Sequence, residues 1–184
     1  MRRIRWSTAL LCLVVSCRVA PDKRDAAGRL EVQWTGSDRG QISGPATAEW
    51  CAPARLLEIR AIQGDTGVAL ALYPAETLAA GRYPVMDPVK AESLPPASGL
   101  ALRWLTQTTV QGFQGDSGTV DLERSISGQI SGQVRARARS VVDTQRVEVT
   151  GTFRDLTVRP GRNRCAAPSD QSEKHAEPGD TGVH

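Results

Sequence analysis

The chain has 184 residues, enough for one domain of ordinary size with a buried core. Its formal charge of +3 comes from 23 basic and 20 acidic residues, but Arg2, Arg3 and Arg5 crowd the first five positions, and without them 20 basic residues face 20 acidic ones. A domain so balanced has no global field to draw it to nucleic acid, and none is expected as a partner.

Met1-Arg2-Arg3-Ile4-Arg5 is a basic head, followed by an apolar run over residues 6–15 and a small-residue exit, which together read as a secretory signal. A helix of that run would reach roughly 15 Å, about half the hydrocarbon thickness, so it does not span a bilayer. Arg18-Val19-Ala20 is a poor site for an ordinary signal peptidase, whose first position should be small and uncharged. Val14-Val15-Ser16-Cys17 resembles instead the lipobox of bacterial lipoproteins, in which a small residue precedes an invariant cysteine. The resemblance implies that residues 1–16 are a lipoprotein signal peptide. It implies further a diacylglyceryl group on the Cys17 thiol, cleavage before Cys17, and acylation, palmitate included, of the new amine. Several acyl chains, at about 0.8 kcal/mol per buried CH₂, hold a protein that a single chain binds only reversibly. The expected location is the cell envelope, with Arg18 in place of Asp favouring the outer membrane where the organism has one. Residues 17–27 are polar, interrupted by proline and without periodicity, and read as a tether.

From Gly28 to residue 167, read as a single domain, the dominant period is two. Leu30, Val32 and Trp34 alternate with polar residues, then Ala46, Ala48 and Trp50, then Leu57, Ile59 and Ala61, then Val68, Leu70 and Leu72. The parity of the last two sets predicts an antiparallel hairpin with Gln63 opposite Thr66 and Gly64-Asp65 as its loop. Residues 74–98 carry five prolines and read as mostly loop, with a helical turn over 75–80 and a short edge strand over 82–85. Leu100, Leu102 and Trp104 restore the alternation, which Val110 and Phe113 continue after a bend. Val120 and Leu122 follow as the inward residues of the next segment. Residues 126–138 alternate without a break, with Gly128 and Gly132 expected at bends or bulges. In the last strand Val147, Val149, Gly151 and Phe153 share a face that Leu156 and Val158 do not, which predicts a bulge near Asp155. Many short strands and no convincing amphipathic helix predict an all-β domain, an antiparallel sandwich or small barrel of roughly 8–10 strands. Its rhythm resembles that of small secreted bacterial lipoproteins and lipocalin-like domains, a likeness that carries little about function. Residues 168–184 are polar and unpatterned, the signature of a disordered tail.

Cys12 lies in the apolar part of the signal and Cys17 is the lipidation site, which leaves Cys51 and Cys165. In an oxidising envelope these two are expected to form a disulfide, closing a loop of about 115 residues at a chain-entropy value of about 4–5 kcal/mol.

Gly115-Asp116-Ser117-Gly118 matches the tetrapeptide around the nucleophile of trypsin-like proteases, whose mechanism needs a histidine base. The two histidines, His175 and His184, both lie in the tail, so the tetrapeptide reads as a turn. No catalytic residue, metal ligand or cofactor site is expected, because the folded region lacks histidine and its acids, such as Asp116 and Asp121, read as turn or outward residues. Arg135, Arg137 and Arg139 fall on one face at roughly 6.7 Å intervals and form a candidate basic strip for a phosphate, an acidic glycan or a lipid headgroup. The competing reading is cross-strand pairing, in a register that sets Glu148 opposite Arg137. Trp34, Trp50 and Trp104 read as core. The expected function is therefore a non-enzymatic envelope module that binds or scaffolds another envelope protein or a glycan. The alternative is a lipocalin-like carrier, with room for an apolar ligand above the small inward residues Gly128, Gly132, Ala136 and Ala138.

Overall fold

The computed structural model describes residues 28–106, 108–124 and 128–161. The segments read as signal, tether and tail lie outside them, as do Cys17 and Cys165. Ten strands and one short helix follow in order among the described residues: β1 (Arg29–Gly36), β2 (Gly40–Pro45), β3 (Thr47–Cys51), β4 (Leu56–Gln63), β5 (Thr66–Tyr73), β6 (Gly81–Pro84), α1 (Pro88–Ser93), β7 (Ala97–Leu105), β8 (Val110–Arg124), β9 (Gln129–Ser140) and β10 (Arg146–Pro160).

Of sandwich and barrel, the structure is a barrel. Seven strands close in the order β3-β4-β5-β7-β8-β9-β10, and the ring is sealed by a short parallel ladder that pairs Val158, Arg159 and Pro160 with Ala48, Glu49 and Trp50. The long strands β8 and β10 each serve two neighbours on one side. The first half of β10 carries the β1–β2 hairpin before its end meets β3, and the second half of β8 carries β6 after its start has paired with β7. Each long strand is bulged, β10 between Phe153 and Leu156 and β8 between Gly115 and Ser117. The bulge expected near Asp155 is there, with Asp155 at φ +55°. It moves the buried face from Phe153 to Leu156 and so keeps apolar side chains inward across the change of parity.

The inward positions anticipated from the alternation are the core. Leu30, Leu57, Ile59, Leu70 and Leu72 are fully buried, Trp34 and Trp104 nearly so, and Trp50 packs at the edge. Gln63 pairs with Thr66 around the Gly64-Asp65 loop. At the end of the barrel where β1, β4, β7 and β9 turn back, Trp34 stacks on Trp104 and Trp104 on Phe113, each at 4.9 Å between centroids. The opposite end is where the described chain enters at Gly28 and leaves at Gly161.

Three expectations need correction. Gly115-Asp116-Ser117-Gly118 is the bulge of β8, not a turn. Gly115 pairs with Ala138 and Gly118 with Ala136, both on β9, so the chain continues forward. Small residues tolerant of positive φ, such as Gly118 at +126°, serve a bulge as well as a turn. The helical turn expected over 75–80 is instead α1, placed by Asp87, whose carboxylate accepts from Val89 N at 3.2 Å, and by Pro88 in the first turn. The edge strand is β6, as expected. Gly132 marks neither bend nor bulge: it sits within β9 opposite Phe153, and a Cβ there would meet that ring and the Asp121 carbonyl.

Candidate functional site

Arg135, Arg137 and Arg139 point outward from β9 as the alternation requires, but they do not form a free strip. The Arg137 guanidinium donates to Glu148 at 2.8 Å in the register expected for the last hairpin, and Arg139 donates to Asp87 at 2.8 Å. Arg135 faces Thr150 on β10 and Thr119 on β8, and it has no hydrogen-bond or ion-pair partner among the described residues. One arginine of the three is therefore available, and its surroundings decide what it can do.

Those surroundings are a groove of about 530 Å³ on the outer wall, across β2, β1, β10 and β9. Four strands each contribute one outward polar residue to a row, Gln41, Gln33, Thr150 and Arg135, held in register by direct pairing. A second row, Ser43, Glu31, Thr152 and Gln133, runs beside it. Beneath them the inward residues Val32, Ile42 and Val134 are buried, and Gly151 has no side chain at all. A Cβ on Gly151 would press on the Glu31 carbonyl and on Val32.

At one margin Arg29 donates to Glu31 at 2.9 Å and to Ser43 at 2.8 Å, so the acidic residue of the groove already has its cation. Gln33 donates to Thr150 at 3.2 Å and fixes the middle of the first row. The groove's uncompensated charge is thus the guanidinium of Arg135. No protein-family model, curated protein sequence or solved structure matches this chain. The groove has to be read from its own chemistry.

Four titratable groups elsewhere in the barrel are shifted by their surroundings. The Arg60 guanidinium is raised by its hydrogen bond to Glu58, and that of Arg82 by its bond to Asp121. Burial raises the hydroxyls of Tyr73 and Tyr83, the latter donating to the Ala79 carbonyl at 2.8 Å. None of the four lines the groove. Among the described residues no group of three or more His, Cys, Asp or Glu is placed to hold a metal. Asp116 accepts from Ser117, its neighbour in the tetrapeptide, at 2.8 Å within the β8 bulge.

The interior is lined by buried side chains, Phe113, Phe153, Ile130 and Leu100 among them. Ala136 and Ala138, whose small size suggested space, are themselves buried in contact with the core. Apolar residues inside and polar ones outside also reverse the pattern of a membrane-spanning barrel.

The groove was not legible as a site in the sequence. Its residues appear there only as the outward half of each alternation, and its two hairpins are separated by more than eighty residues, from Pro45 to Gln129. Gly151, a glycine within a strand, was the one local sign of a close backbone approach.

Proposed function

We propose that this chain is a lipid-anchored protein of the bacterial cell envelope whose barrel is a non-enzymatic binding module, with the outer groove as its ligand seat. The observation that supports the reading is the groove of about 530 Å³ on the outer wall, lined by two rows of hydrogen-bonding side chains. Anchoring rests on Val14-Val15-Ser16-Cys17 and its placement after the apolar run. An extended tether over residues 17–27 would reach at most about 40 Å, which keeps the barrel close to the bilayer. Because Gly28 leads into β1 at one end of the barrel, the groove on the side wall stays open to the envelope space.

A Cys51–Cys165 disulfide belongs to the same proposal. Cys51 ends β3, is 4% exposed and is not a free thiol. Its neighbour Trp50 accepts a hydrogen bond from Gly161 N at 2.8 Å, which brings the chain to within four residues of Cys165 beside it.

Labelling with a fatty-acid probe in a bacterial host tests the anchor: label is expected on the parent and absent from Cys17→Ser, and equal label on both sinks it. Pull-down of the mature protein from its native envelope, with mass spectrometry of protein, glycan and lipid fractions, tests the binding role. A specific component lost on blocking the groove with Thr150→Trp supports the seat. Recovery of the same component by both forms places binding elsewhere.

A further inference from the structure

Resting on that reading of the groove, we infer that its ligand is a polysaccharide carrying carboxylates, laid across the strands. The two rows offer amides and hydroxyls, groups that both donate and accept, as every hydroxyl of a sugar chain does. Neighbouring strands stand about 4.8 Å apart, so each row presents one polar side chain at that interval over about 14 Å. An extended polyol meets such a series continuously. A folded protein partner is poorly served, because its affinity comes from aromatic and aliphatic anchors seated in desolvated pockets. Here the apolar residues beneath the rows, Val32, Ile42 and Val134, are each 2% exposed or less. Nucleic acid would need a line of cations, and the groove has one uncompensated.

That one cation specifies the charge of the ligand. Arg137 and Arg139, its neighbours on the same face of β9, each hold a carboxylate oxygen at 2.8 Å. Arg135 is the member of the series left without one, and it stands at the end of the first row, where a carboxylate on a chain lying along Gln41, Gln33 and Thr150 would reach it. A guanidinium accepts a carboxylate through two parallel hydrogen bonds, which fixes the orientation of the sugar as well as its charge.

Calorimetric titration of the full-length protein separates the outcomes, with three probes of equal length: an oligogalacturonate, its methyl ester and a neutral glucan oligosaccharide. The acid form is expected to bind, and the ester and the glucan to bind at least tenfold more weakly. Arg135→Ala is expected to lose about tenfold for the acid form alone. Arg135→Lys should recover part of that loss, while Arg137→Ala, outside the groove, should match the parent. Near-ultraviolet circular dichroism confirms that each variant is folded. Equal binding of acid and ester, or an Arg135→Ala protein that binds the acid as the parent does, overturns the inference. So does binding of none of the three probes. Each of those results leaves the groove standing if Thr150→Trp still loses an envelope component that the parent recovers. Thr150→Trp binding the acid form as tightly as the parent removes the groove itself as the seat.

Discussion

Gly132 and Gln111 show opposite kinds of local compromise on the inner wall. Gly132 is the only residue type that lets the Phe153 ring and the Asp121 carbonyl share its position. Gly132→Ala should therefore lower stability by about 1–3 kcal/mol through overpacking, read as a fall in the thermal midpoint. Gln111 pairs with Trp104 and lies two residues before the inward Phe113, yet its Oε1 is buried without a hydrogen-bond partner among the described residues. Gln111→Met keeps the length and removes the orphaned acceptor, so it should raise stability by about 1 kcal/mol, or about 4 °C in the midpoint. A lower midpoint would show that Oε1 is satisfied by water in solution. The inward set was legible because period-two alternation reports burial directly, and the outward pair Arg137 and Glu148 because a hairpin register follows from parity. The compromise at Gly132 was not, since a glycine that admits a ring from the next strand looks in sequence like one that admits a bend.

Elements here are shaped by where their long strands change partner. The bulge of β10 carries Asp155 at φ +55°, its N–H donating to Ser131 Oγ at 3.0 Å. Deleting Asp155 would remove the extra residue that the bulge accommodates and restore an unbroken alternation, with Leu156 still inward opposite Ile130. The deletion is therefore expected to keep a cooperative thermal transition, and its loss would show that the bulge itself is required. Asp155→Gly should keep the transition within a few degrees, because glycine accepts positive φ freely. This bulge was legible, as the alternation breaks parity there. The bulge of β8 was not, because Gly115-Asp116-Ser117-Gly118 breaks the alternation in a way that suits a turn equally. The difference lies in β9, which pairs on both sides of it. Likewise α1 was announced by Asp87-Pro88, a cap and a first-turn proline, more clearly than by any apolar spacing.

For the molecule as a whole, the all-β class followed from pattern, whereas the choice of barrel over sandwich did not. Closure depends on three residues, Val158 to Pro160, lying parallel to Ala48 to Trp50, a contact between the two ends of the domain that no local pattern encodes. The proposed disulfide would brace that same seam. Reducing agent is expected to lower the thermal midpoint of the parent and to leave a Cys51→Ser/Cys165→Ser protein unchanged, the difference between the two oxidised forms being up to about 4–5 kcal/mol. An unchanged parent midpoint argues against the bond. The position of β1 has a mechanical consequence. It begins where the described chain enters and is flanked on both sides by antiparallel partners, β2 and β10. A pull on the N-terminal side runs along the axis of β1, while its ladder hydrogen bonds lie across that axis. Tension would load both ladders at once in shear and could not open them one rung at a time. Gripped between β2 and β10 in this way, β1 resists extraction best along its own axis.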